Sequence, residues 1–211
     1  VGGVVGERVG EKHIITFDMG GTTAKLGAVD NGRPAISPTF EIGHVQFKKG
    51  SGLPINVPSV ELIEIGAGGG SIASVNMGII TIGPESAGAN PGPICYGLGG
   101  KHPTVTDANV ILGYISPDGF NSGKIKLDVE RARLEMVTQI AEPLNLSLER
   151  AAWGVHAVAT KNMENALRIV SIERGRDPRR YSMVAFGGAG PLHASRLAKE
   201  IGIPKVIIPF A

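Results

Sequence analysis

Apolar residues in the first half of the chain come in short runs that break off at glycines, whereas in the second half they recur every three or four positions. The first pattern is that of buried strands entering turns, the second that of amphipathic helices. Residues 13–17 form an apolar run ending at Asp18, the outline of a buried strand. Residues 26–29, the turn Asp30-Asn31-Gly32-Arg33 and the segment from Pro34 onward predict strand, hairpin and strand. A polar stretch bearing glycine and proline covers 43–58, and 60–65 then predicts another strand, which runs into Gly66-Ala67-Gly68-Gly69-Gly70-Ser71. Residues 72–82 alternate loosely around a turn at Asn76 and Gly78. Residues 84–103 are so dense in glycine and proline that they predict a long, ordered surface loop without regular structure.

Beyond this loop the period changes. Residues 107–112 open a helix, and 128–145 places Leu134, Val137, Ile140, Ala141 and Leu144 on one helical face. Ser147 is suited to cap the next helix, in which Ala151, Ala152, Val155, Val158, Ala159, Met163, Ala166, Leu167 and Val170 keep a period of about 3.6 residues. Residues 182–186 predict a buried strand entering Gly187-Gly188-Ala189-Gly190, followed by a helix over 191–201 with Pro191 in its first turn and a last strand over 206–209. A strand-rich 13–110 and a helix-rich 128–211 define one α/β unit over 1–211, with helices packed on a mixed sheet. The opening Val1-Gly2-Gly3-Val4-Val5-Gly6 has no initiator Met and reads as the interior of a helix, so the chain is expected to be a fragment.

Composition narrows the function classes. Hydrophobic residues at 42% and charged residues at 19% describe an ordered, well-buried protein. The formal charge of +2 names no partner, and scattered Lys and Arg with only 5% aromatics argue against nucleic-acid binding. No apolar run approaches the roughly 18 residues of a membrane span and no signal peptide is evident, so a cytoplasmic location is expected. The one cysteine, Cys95, excludes an internal disulfide and a multi-thiolate zinc site, and reads as a small buried hydrophobe. Glycine is the outlier, with 31 of 211 residues, about twice the usual share, gathered in discrete loops.

Those loops carry the candidate chemistry. In Phe17-Asp18-Met19-Gly20-Gly21-Thr22-Thr23, Gly20 and Gly21 let backbone N–H groups approach an anion, and the hydroxyls of Thr22 and Thr23 donate to phosphate oxygens or ligate Mg2+. Asp18 either holds a hydrated Mg2+ or orients an attacking water; the plainer reading is a hairpin with a capping Asp. No Gly-Lys-Ser/Thr follows, so this is not a Walker A loop. Gly187, Gly188, Ala189 and Gly190 suit either the adenosine or α-phosphate side of a nucleotide at a helix N-terminus or a close-packed strand-helix junction. The Gly66–Ser71 stretch nearly imitates a dinucleotide fingerprint, but its last position is Ser and no helix follows. His44, His102, His156 and His193 are too scattered for a metal motif, and Glu85, Asn90 and Asp107 lie in or beside the long loop where they either meet a substrate or cap turns.

In order and content these motifs resemble the hydantoinase A/oxoprolinase family, which includes ATP-hydrolysing N-methylhydantoinase, 5-oxoprolinase and the nucleotide-binding subunits of acetone-type carboxylases. The residues that carry the resemblance are 17–23, 65–73, 83–93 with Cys95-Tyr96-Gly97, 103–109 and 186–193, nearly the whole chain. It implies an actin-like, ribonuclease-H-like ATPase fold in which two lobes enclose ATP, with Asp18 to Thr23 as the second phosphate turn and Gly187 to Gly190 as the adenosine turn. Asp18 is then the catalytic and Mg2+-facing carboxylate, and Gly68, Gly69, Gly70, Ser71, Glu85 and Asp107 lie on the substrate side. Asp18 to Thr22 is the one Asp-x-Gly-Gly-Thr turn in this sequence and the family's first phosphate turn, a further such motif nearer its N-terminus, has no counterpart, so the chain is expected to be a central domain. The implied function is an ATP-dependent cyclic amidohydrolase working with a B-type subunit or domain; a ketone carboxylase subunit and a non-catalytic assembly module remain open.

Overall fold

The computed structural model describes residues 1–38, 40–42, 52–118, 120 and 126–210. His44 and most of the expected polar stretch 43–58 lie outside them. The run Ile14–Met19 forms strand β1, with Ile15, Phe17 and Met19 fully buried on one face and Ile14 on the other. Burial on both faces is what a central strand requires.

On one side β1 pairs antiparallel with β2 (Ala24–Asp30), which also carries β3 (Arg33–Pro34) and β8 (Leu62–Ile65) as antiparallel neighbours. On the other side β1 pairs parallel with β11 (Ser182–Phe186), and β11 with β12 (Lys205–Ile207). The sheet is therefore mixed, as the pattern of elements predicts. Short ladders join β4 (Ile36–Ser37) to β7 (Ser59–Val60) and β5 (Phe40–Ile42) to β6 (Leu53–Ile55).

Helices cover both faces. The glycine-bearing start forms α1 (Gly2–Val9), whose Gly2 and Gly6 let it lie against Thr16 and Ile14 of β1. On the opposite face sit α2 (Val105–Ile111), α5 (Leu148–Val170) and α6 (Gly190–Ile201), which supply Ala108, Ala159, Met163, Leu167, Ala194 and Leu197 to the main core. Ser147 caps α5 by accepting from Arg150 N at 3.3 Å. The expected helix over 128–145 is a composite of α3 (Val129–Met136), a π-helical turn (Val137–Ala141) and α4 (Glu142–Leu144), ended by Asn145 in the left-handed region. Its buried face is Ala132, Met136, Ile140 and Ala141; Leu134, two residues off that row, is exposed.

One expectation needs correcting. Strand β9 (Ser71–Asn76) pairs with β10 (Ile79–Ser86), so regular structure continues into the first residues of the ordered loop expected over 84–103 to have none, and a 3-10 turn (Ile94–Tyr96) follows within it. The register shifts between Ile82 and Ser86, which takes Gly83 and Pro84 out of the ladder. The missing proline N–H is then not needed.

Candidate functional site

Strand direction decides where the glycine loops meet. Since β8 is antiparallel to β2, and β2 to β1, β8 runs the same way as β1 and β11. The loops after all three strands, 20–23, 66–70 and 187–190, therefore leave the same edge of the sheet, the edge at which α/β proteins bind ligands.

There they contact one another through backbone. Gly69 N donates to Gly20 O at 3.0 Å, Gly70 N to Gly21 O at 2.6 Å, and Ala189 N to Met19 O at 3.0 Å. The glycines are required by this proximity. A Cβ at Gly68 would lie 2.5 Å from the Thr22 carbonyl carbon, and one at Gly187, where φ is 78°, would lie 2.5 Å from both Asp18 Oδ1 and Met19 O. By contrast a Cβ at Gly20, Gly21 or Gly188 meets nothing within 4 Å. The bundle of loops is thus tight inside and open above.

Asp18, next to last in β1, pairs with Phe186 of β11 and has its carboxylate at the Gly187 backbone. Thr22 is exposed and Thr23 half-buried. Thr106, at the start of α2, joins the cluster: its N–H donates to Gly69 O at 2.7 Å. Ser71 Oγ is buried and accepts from Gly68 N at 2.8 Å, which fixes the shape of that loop. Ala87 N donates to Gly70 O at 2.8 Å and brings in the long loop. Beside it lies a depression of about 180 Å³ lined by Ile72, Ala87, Pro91, Gly92, Lys101 and His102. Glu85 is exposed on β10, away from these contacts.

Asp107 is fully buried. Its carboxylate accepts from Cys95 N at 2.7 Å, Thr104 Oγ1 at 2.7 Å, Thr104 N at 2.9 Å and Ile94 N at 3.2 Å, closing a capping box on α2 and holding the 3-10 turn. Burial and the nearby Asp107 charge push the buried Cys95 thiol far up, so it is not a nucleophile at neutral pH.

Sequence reasoning missed a second cluster behind the loops. His156 of α5 and His193 of α6 stack with ring centroids 4.3 Å apart and 11° between planes. His156 Nδ1 lies 2.8 Å from Asn109 Oδ1, and His193 Nδ1 lies 3.0 Å from Thr160 Oγ1. Burial pushes His156 down to about 4, aided by the Arg196 charge, and His193 down to about 3, aided by His156. The signal was present: Asn109 and His193 are the last residues of two of the segments that carry the family resemblance. Among the described residues no group of three or more His, Cys, Asp or Glu is gathered as a metal site would need.

The fold and the site define a mixed-sheet α/β domain whose glycine loops converge on one sheet edge. Residues 1–211 match the model of the hydantoinase/oxoprolinase family, and the chain belongs to that family. Caprolactamase subunit alpha of Pseudomonas jessenii is 43% identical over 206 residues, 97% of this chain and 28% of its own length. The crystal structure of ATP-dependent caprolactamase from that organism matches with a TM-score of 0.84 and 42% identity, over 98% of this chain and 29% of its own. The nucleotide-free structure of acetone carboxylase, an enzyme of ATP-dependent acetone carboxylation, matches with a TM-score of 0.87 and 31% identity, over 98% of this chain and 28% of its own. 5-Oxoprolinase 1 of Arabidopsis thaliana is 33% identical over 215 residues, 94% of this chain and 16% of its own length. The chain thus spans less than a third of the length of each.

Proposed function

We propose that this chain is the ATP-handling part of an ATP-dependent enzyme that opens cyclic amides of the hydantoin, N-methylhydantoin or 5-oxoproline type. One observation carries the reading: three glycine loops leave one sheet edge, bonded to each other below and open above Gly20, Gly21 and Gly188. Such open main-chain turns suit the phosphates of a nucleotide, with Gly20, Gly21, Thr22 and Thr23 on the phosphate side and Gly187 to Gly190 at the start of α6 on the nucleoside side. The Asp18 carboxylate lies against the Gly187 backbone at this edge, which suits Mg2+ held mainly by phosphates and water. Bound ATP would supply a phosphoryl group that makes the amide carbonyl a better electrophile.

The protein's own part is positioning and electrostatics. The backbone turns fix the anion, Asp18 orients the hydrated cation, and the depression beside Ala87 with Lys101 and His102 at its rim is where the small cyclic amide would lie. The name of caprolactamase subunit alpha supports a partner subunit, here proposed to be of the B type. A second reading, the nucleotide-binding subunit of a ketone carboxylase, is favoured by the 0.87 TM-score to acetone carboxylase.

The test uses the full-length protein with its partner subunit. ADP release is measured against hydantoins, 5-oxoproline, lactams and, with bicarbonate, ketones. Release driven by cyclic amides and abolished by Asp18→Asn is the expected result. Ketone-driven release selects the second reading, and product formation unchanged by Asp18→Asn overturns both.

A further inference from the structure

The buried histidine stack closes a ring of contacts around the glycine loops. Starting at Gly20, the ring passes to Gly69 (3.0 Å) and from Gly69 to Thr106 at the start of α2 (2.7 Å). One turn along α2, Asn109 reaches His156 on α5 (2.8 Å), which stacks on His193 in the first turn of α6 (4.3 Å between centroids). The start of α6 returns to the beginning through Ala189 N to Met19 O (3.0 Å). Three helices and three loops are linked by five contacts, three of them backbone hydrogen bonds, and both rings are buried.

The hydrogen bonds assign protons. Thr160 Oγ1 donates to His156 O at 2.8 Å, so toward His193 it has only a lone pair to offer. His193 Nδ1 therefore carries the hydrogen, and Nε2 is a bare, fully buried acceptor without a partner. His156 Nδ1 likewise donates to Asn109 Oδ1. Charge is kept at a distance: Arg196 lies over the Trp153 ring at 4.6 Å, and Trp153 and Tyr114 flank His156 at 5.6 and 5.1 Å. Two neutral rings held by fixed tautomers set both the spacing and the rotation of α5 and α6, which two aliphatic side chains would leave free to slide.

We propose that Asn109, His156, Thr160 and His193 form a positioning relay that fixes the gap between loop 66–70 and turn 187–190, and through it the affinity for nucleotide. Its consequence for nucleotide rests on the function proposed above; its consequence for the loops does not.

The experiment compares Thr160→Val, which keeps the shape and removes the hydroxyl, with Thr160→Ser, which keeps the hydroxyl, in the full-length protein with its partner subunit. Hydrogen exchange followed by mass spectrometry reads the loops directly, and steady-state kinetics read KM for ATP against kcat. Expected for Thr160→Val are faster exchange confined to peptides covering 66–70 and 187–190 and a rise of about tenfold in KM for ATP with kcat largely kept; Thr160→Ser restores both. Unchanged exchange at the two loops, or exchange accelerated evenly over the domain, overturns the proposal. Loops that respond in a protein showing no ATP use at all keep the relay and refute the proposed function instead.

Discussion

Gly187 and Gly188 are neighbours with opposite constraints. A methyl group at Gly187 enters a left-handed residue and meets Asp18 Oδ1 and Met19 O at 2.5 Å, whereas one at Gly188 meets nothing within 4 Å. Gly187→Ala is expected to lose at least about 1–3 kcal/mol in urea unfolding, the cost of a left-handed non-glycine residue before any overlap is counted. Gly188→Ala is expected to stay within about 0.5 kcal/mol of the parent while weakening nucleotide binding, since its methyl enters the open mouth. Equal stabilities for the two variants would contradict the geometry. Asp107→Asn leaves four donors around a side chain that brings donors of its own, and is expected to cost about 2–3 kcal/mol, read as a fall of about 4–12 °C in Tm. At this scale the sequence showed which residues matter sooner than why. Asp107 stands out in its motif, but only the fold reveals that its oxygens are taken up by Ile94, Cys95 and Thr104.

Elements were most legible where a local rule acts alone. Ser147 announces α5 because a hydroxyl there satisfies a free N–H of the first turn, and Ser147→Ala is expected to cost about 1 kcal/mol by denaturant unfolding. The π turn in Val137–Ala141 and the register shift in β10 leave no periodic trace. Helix-to-helix contacts are similarly hidden: His156 and His193 are too scattered in sequence to suggest a motif, yet His156 is 2% exposed and stacked on His193 of α6. This pairing makes stability depend on pH. Unfolded, both histidines titrate near their usual 6.5; folded, they stay neutral down to about 4 and about 3. The unfolded chain therefore binds protons the folded one refuses, so the contribution is complete above about pH 6.5 and is lost as pH falls from there toward 4. Carboxylates held low by cations, such as Asp30 beside Arg176 and Glu164 between Lys161 and Arg168, add their own loss only below their usual range near 4. Urea midpoints are expected to decline already between pH 6.5 and 5; a midpoint flat over that interval would mean that the pair is protonated in the folded state.

For the whole molecule, direction of strands matters more than their number. The glycine motifs lie far apart in sequence, and nothing in their local pattern tells that β8 runs parallel to β1; the pairing through β2 is what brings 66–70 beside 20–23. With Asp18 to Thr22 as the one Asp-x-Gly-Gly-Thr turn in the sequence, the 211-residue chain alone is expected to bind ATP weakly. Calorimetry giving a submicromolar Kd would refute this. The loop contacts that form the site come from main-chain amides and carbonyls of Gly20, Gly21, Gly69, Gly70 and Ala189. Where such a surface is made of peptide groups, mutation has no side chain to exchange: those contacts can be broken by adding a methyl group but not shifted by degrees. On the function proposed above, divergence of substrate among proteins sharing this edge would be written elsewhere, in the side chains around Lys101 and His102 that line the neighbouring depression.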